Sequence, residues 1–129
     1  NTRRPVLKNN VGGLSGPAVF PIAVRMVWQV ANAVNIPVIG MGGVSSGRDA
    51  IELMMAGASA VQVGAAIFTD PLAPVKIIDE MNEFLDSKGI KSVKDIIGVV
   101  KHQQSKDHYS YRLDLACLPV LFKIRIVVE

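Results

Sequence analysis

The run Pro37-Val-Ile-Gly-Met-Gly-Gly-Val-Ser-Ser-Gly-Arg-Asp-Ala-Ile51 limits what this chain can fold into more than any other stretch. It opens on Val38-Ile39, a short apolar pair of the kind found in strands buried on both faces. Gly40, Gly42 and Gly43 follow, where the backbone can turn tightly and approach a ligand with no Cβ in the way. A helix start comes next: Ser46 is placed to cap, Asp49 completes a capping box, and Glu52 suits the first turn. A strand, a glycine turn and a helix N-terminus together present backbone N–H groups and a positive dipole end to an anion. The same residues also suit an ordinary β-α connection that needs glycine only for its turn.

A second stretch separates the two readings. Ala56-Gly-Ala-Ser-Ala-Val-Gln-Val-Gly-Ala65 ends the helix at Gly57, carries a strand over Ala60–Val63 and places Gly64 just past its end. Two successive strands joined by one helix predict a parallel βαβ unit whose glycine ends lie side by side. In an eight-stranded parallel barrel, the loops after the last two strands often hold a phosphate. The predicted class is therefore α/β, the C-terminal part of a (β/α)8 TIM barrel. At 129 residues the chain is long enough for about half of one, since a complete barrel takes roughly 200–250 residues.

The flanking segments fit this frame. Gly12-Gly-Leu-Ser-Gly-Pro-Ala18 is a shaped loop. Val19–Val34 is predicted as a helix with Pro21 in its first turn and Ile22, Ala23, Met26, Val27, Val30 and Ala33 on an apolar face. Trp28 reads as packing. Asp70-Pro71 starts a helix that runs to about Leu85, with Val75, Ile78, Met81 or Asn82, and Leu85 facing inward, and Ser87-Lys-Gly89 stops it. Ser92 and Asp95 predict a further capped helix carrying Val93, Ile96, Ile97 and Val100. From His102 onward the helical period is lost. Phe122–Val128 alternates like an exposed strand and is expected to promote association. Residues 1–101 are thus read as the barrel portion and 102–129 as a divergent tail.

Composition removes several function classes. The net charge is +3 and aromatics are 5% of the chain. The basic residues are scattered, so nucleic-acid binding is not expected. Cys117 is the single cysteine, which excludes an internal disulfide and a cysteine-rich zinc site and fits a reducing, cytoplasmic setting. It reads as a small hydrophobe. His102 and His108 lack acidic or thiol partners at ligand spacing, so no metal site is expected. No long apolar segment suggests a signal peptide or a membrane span. The start Asn1-Thr-Arg-Arg is not that of a natural initiation, and residues upstream are expected.

Taken together and in order, Gly12-Gly-Leu-Ser-Gly-Pro-Ala18, Ile39-Gly-Met-Gly-Gly-Val44 and Ala56-Gly-Ala-Ser-Ala-Val-Gln-Val-Gly64 closely resemble the C-terminal part of class 1B dihydroorotate dehydrogenases. The likeness covers about residues 1–101. It implies an FMN-binding barrel that oxidises dihydroorotate to orotate in pyrimidine biosynthesis. By the same resemblance, Gly16 would lie against the flavin, and Gly42, Gly43, Gly64 and Ala65 would offer backbone N–H groups to the FMN phosphate. Threonine is frequent in the family at the position of Ala65. Alanine keeps the backbone donor and loses a hydroxyl.

The family's cysteine base, its flavin-side lysine and its substrate-binding asparagines match no residue here. Cys117 lies beyond the last barrel strand, so catalytic residues are expected outside this chain. The resemblance further implies an iron-sulfur and FAD subunit that passes electrons to NAD. The open sheet edges of a half barrel point to a homo- or hetero-oligomer. Two other readings stay open on the residues: a non-catalytic phosphate- or nucleotide-binding half barrel, and the flavin domain of a dihydropyrimidine dehydrogenase-like enzyme.

Overall fold

The computed structural model describes residues 3–100; His102, His108, Cys117 and the strand expected at Phe122–Val128 lie outside them. A 3-10 turn, Pro17–Val19, leads into helix α1, Phe20–Ala33. Strand β1, Ile39–Met41, is followed by α2, Gly47–Ala56, and strand β2, Ala60–Gln62. The short α3, Ala66–Thr69, precedes α4, Ala73–Ser87, and a second 3-10 turn, Val93–Ile96. β1 and β2 pair in parallel, with Ile39 opposite Ala60 and Met41 opposite Gln62. This is the expected βαβ order.

Local chemistry accounts for the element boundaries. α2 carries the full capping box: Ser46 Oγ accepts from the Asp49 N–H, and Asp49 accepts from the Ser46 N–H in return. It stops at Gly57, whose φ of 122° is readily open only to glycine. β1 runs two residues beyond the expected Val38-Ile39, through Gly40. A Cβ at Gly40 would stand 3.0 Å from Ala58 Cβ and 3.3 Å from Leu53 Cβ. Glycine there lets the strand lie flush on α2.

The core lies between the strands and the helices. Val27, Val44, Ala50, Leu53, Ala56, Ala58 and Ile77 are buried together, with Phe20, Val24, Trp28, Val38, Val61, Val63 and Met81 packed against them. Alternation along the strands turns Val61 and Val63 toward this core and Ala60 and Gln62 away from it. The expectation of a strand covered on both faces is corrected: Ile39 is 59% exposed, because among the described residues helices cover one face only.

Two predicted helix faces are also rotated. On α1 the inward residues are Ala23 and Val27, whereas Ile22 and Val30 are exposed. On α4 they are Ala73 and Ile77, with Met81 partly buried, whereas Val75 and Ile78 are exposed. Both helices are apolar over a wide arc, so period alone left the facing side open. Packing against α2 settles which side faces in: Val27 and Ile77 join Ala50 and Leu53 in the core.

The predicted helix after Ser92 is a single 3-10 turn. Ile96 is buried, but Ile97 is extended and Gly98 turns the chain. The backbone then crosses the C-terminal end of α2. Gly98 N–H donates to Met54 O at 3.0 Å, Val100 N–H to Met55 O at 3.2 Å, and the Trp28 indole to Val100 O at 3.2 Å. Two of these bonds end on carbonyls of the last turn of α2, where Met54 O also accepts from the Gly57 N–H at 2.9 Å. They outweigh the local helical preference.

Leu53 is fully buried at the centre of the core. Leu53→Ala is expected to lower stability by roughly 2–5 kcal/mol through lost transfer energy and a cavity, read as a shift in the urea midpoint.

Candidate functional site

The C-terminal ends of β1 and β2 open into a cleft of about 610 Å³. All five residues singled out from the sequence, Gly16, Gly42, Gly43, Gly64 and Ala65, line it. They come from three separate segments. Gly16 belongs to the loop before α1, Gly42 and Gly43 to the turn after β1, and Gly64 and Ala65 to the turn between β2 and α3. The first two segments touch: a Cβ on Gly43 would lie 2.7 Å from Gly16 O and 2.9 Å from Phe20 Cβ. Gly43 also holds a φ of 74°, which a side chain would strain. Glycine at this position therefore serves contact between protein segments. Gly64 is the opposite case, since a Cβ there meets nothing within 4 Å.

No turn, loop or capping bond among the described residues uses the N–H of Gly42, Gly43, Gly64 or Ala65. The carbonyls of Gly64 and Ala65, by contrast, accept from Ile67 and Phe68 N–H at 3.0 and 3.2 Å in the first turn of α3. These four donors are placed on two sides of one cleft. Its described lining contains no Asp, Glu, Lys, Arg, His or Cys. An anion bound here would be held by backbone dipoles, and no described lining side chain can act as an acid or base near neutral pH.

The N-terminus of α2 is largely capped by carboxylates. Asp49 Oδ2 already accepts from Ser45 N–H, Ser45 Oγ and Ser46 N–H, at 2.9, 2.9 and 3.0 Å. Glu80 of α4 takes the Gly47 N–H at 2.6 Å. Two carboxylates thus occupy the positive end of the helix.

Partial burial works to raise the Asp49 pKa, but the hydrogen bonds from Ser45 and Ser46 together outweigh it and hold the carboxyl below its ordinary value. A folded value below the unfolded one, about 3.9, stabilises the fold above that pH. The contribution fades as pH falls through the folded value. Asp49→Asn is expected to cost about 1 kcal/mol at neutral pH, and the gap between the two urea midpoints should close on acidification. A gap that stays constant from neutral pH into strong acid would contradict this. Asp70 is also held low, by the Lys76 ammonium at 2.5 Å and then by the Leu72 N–H. That pair is exposed and contributes little.

Sequence reading missed α3 and the polar lining residues Ser15, Ser45, Gln62 and Thr69. α3 is four residues long and has no side-chain cap, so it carries no start signal. Gln62 could have been found, because it alternates with the core-facing Val61 and Val63. Ser45 and Thr69 direct their hydroxyls to Asp49 and to Ala66 O.

A family model described as dihydroorotate dehydrogenase matches residues 1–85. The chain belongs to the dihydroorotate dehydrogenase family. A relative from Geobacter metallireducens, the catalytic subunit of dihydroorotate dehydrogenase B (NAD(+)), is 60% identical over 100 residues, 78% of this chain and 33% of the relative. The subunit of the same name from Bacteroides fragilis is 57% identical over 99 residues, 77% of this chain and 33% of its own length. The chain thus spans about a third of the curated relatives it matches. A ligand-free type DHODH from Eimeria tenella superposes with a TM-score of 0.65 at 32% identity, covering 76% of this chain and 28% of that one. The same enzyme in complex with ferulenol gives 0.65 at 33%, covering 71% and 25%. The described residues are an α/β segment of a (β/α)8 barrel. Among them, no helix is long and apolar enough to cross a membrane.

Proposed function

We propose that this chain supplies the FMN-phosphate-binding part of a dihydroorotate dehydrogenase, an enzyme that oxidises dihydroorotate to orotate. The observation that carries the reading is the convergence of Gly42, Gly43, Gly64 and Ala65 on one cleft at the ends of two adjacent parallel strands. The cleft suits a flavin phosphate in two respects. Its free donors are backbone N–H groups, and the space beside Gly64 is one that a side chain would fill. Backbone groups of Gly42, Gly43, Gly64 and Ala65 would hold the phosphate, and the Gly16 loop would close over the cofactor. When bound, the flavin supplies the hydride acceptor.

What this chain does is bind and orient. Its described cleft residues include no group that can take the substrate proton, so the base belongs to other segments of the enzyme. The relatives' names, "catalytic subunit" and "NAD(+)", support a partner subunit; in this reading it is an iron-sulfur and FAD protein that passes electrons to NAD, and the homo- or hetero-oligomer is cytoplasmic. In this reading residues 1–101 form the barrel portion and 102–129 lie outside it.

A chimaera tests the proposal. Residues 1–100 of this chain would replace the matching third of the Geobacter metallireducens subunit. The chimaera is expected to retain FMN and to oxidise dihydroorotate. The 129-residue chain alone, given FMN, is expected to show no turnover above a flavin-only control. An inactive, flavin-free chimaera that is nonetheless folded would overturn the assignment.

A further inference from the structure

Glu80 stands outside the cleft, on α4, yet it acts on α2, the helix that follows β1. Its carboxylate accepts the Gly47 N–H at 2.6 Å in a part-buried bond between segments 33 residues apart. Gly47 opens α2 and is itself buried. α4 comes so close that a Cβ on Gly47 would sit 2.5 Å from Glu80 Cβ and 2.9 Å from Ile77 O. Immediately before Gly47, the N–H groups of Ser45 and Ser46 are tied to Asp49. The segment Ser45–Gly47 is thus gripped from within α2 and from α4. It continues directly from Gly43 and Val44, which line the cleft.

We infer that Glu80 is a positioning residue for the phosphate site: it locks the turn after β1 to the α4 unit, and so fixes the spacing between the two sets of backbone donors. The inference rests on the phosphate-site reading above. The geometry supports it because α4 continues from the Gly64–Thr69 turn on the other side of the cleft. At the start of α2 this bond adds a directional tie to the packing of Ile77 on Ala50 and Leu53 between the two units that carry the donors. A carboxylate at this position also discharges the N-terminus of α2, which leaves the glycine turns as the place where a ligand anion is favoured.

The experiment is a titration of flavin-free enzyme, the full subunit carrying this sequence, with FMN and with riboflavin, which lacks the phosphate. Wild type is expected to prefer FMN. Glu80→Ala should weaken FMN binding about tenfold, the effect of losing one charge-assisted hydrogen bond, and leave riboflavin within about threefold at the same energy scale. Glu80→Gln keeps an acceptor oxygen and should restore most of the preference. Gly47→Ala, which pushes α4 away from the other side, should repeat the selective loss, and it serves if Glu80→Ala does not fold. An FMN-to-riboflavin ratio unchanged in Glu80→Ala and Gly47→Ala would overturn the inference while leaving the phosphate site intact. An equal loss of both ligands would also overturn it, since it would mark a general effect on folding. A wild-type enzyme with no preference for FMN would overturn the phosphate-site reading, and the inference with it.

Discussion

Gly43→Val is expected to destabilise the protein by roughly 2–5 kcal/mol, combining backbone strain with overpacking. At a φ of 74° a β-branched residue is strained before any contact is considered. The new Cβ would also lie 2.7 Å from Gly16 O and 3.0 Å from Phe20 N. Both neighbours are backbone atoms, so no side-chain rotation relieves the clash. Relief requires the Gly16 loop and the start of α1 to move. Flavin retention should fall as well, but as a consequence of the displaced loop. The measurement is the urea midpoint of the flavin-free protein beside its flavin content after purification. A midpoint unchanged from wild type would show that this turn tolerates a side chain, and that Gly43 serves the ligand alone.

Gly64→Val should give the opposite pattern. The valine meets no protein atom within 4 Å at its Cβ and projects into open space at the cleft. Stability is expected to stay within about 0.5 kcal/mol of wild type, as for substitutions away from packed features. The branched side chain fills the space beside two of the four free donors. FMN affinity should therefore drop at least tenfold, about 1.4 kcal/mol or more. Paired titrations and urea curves on Gly43→Val and Gly64→Val separate a glycine needed by the fold from a glycine needed by the ligand. Full FMN retention by a folded Gly64→Val enzyme would remove Gly64 from the site.

The contrast was not visible in the sequence, where both glycines read as ligand contacts. They differ only in what stands opposite them. Gly43 faces the loop of residues 12–18, brought over from before α1, whereas Gly64 faces the cleft. That distinction depends on contacts between segments far apart in the chain. Similarly, the capping box of Ser46 and Asp49 was legible because it spans four residues. The Glu80 carboxylate that completes the capping of α2 comes from 33 residues away, and no local pattern announces it.

The sequence by itself determined the α/β order, the start of α2 at its cap and its stop at Gly57. It also determined that two glycine-ended strands would lie side by side. These are properties of short windows: cap chemistry, backbone freedom at glycine, and the apolar runs of strands. Tertiary structure alone decided which arc of α1 and α4 turns inward. Both helices are apolar on more than one side, and the choice falls to close packing against α2. It also decided that the last segment ends in a 3-10 turn, because the carbonyls of Met54 and Met55 offer Gly98 and Val100 bonds that a continued helix would forgo. It also decided what caps the start of α2. Asp49 takes the N–H groups of Ser45 and Ser46, and Glu80, from α4, takes that of Gly47. Two carboxylates therefore already sit at the positive end of the helix, and the anion site we propose is built on the glycine turns beside it.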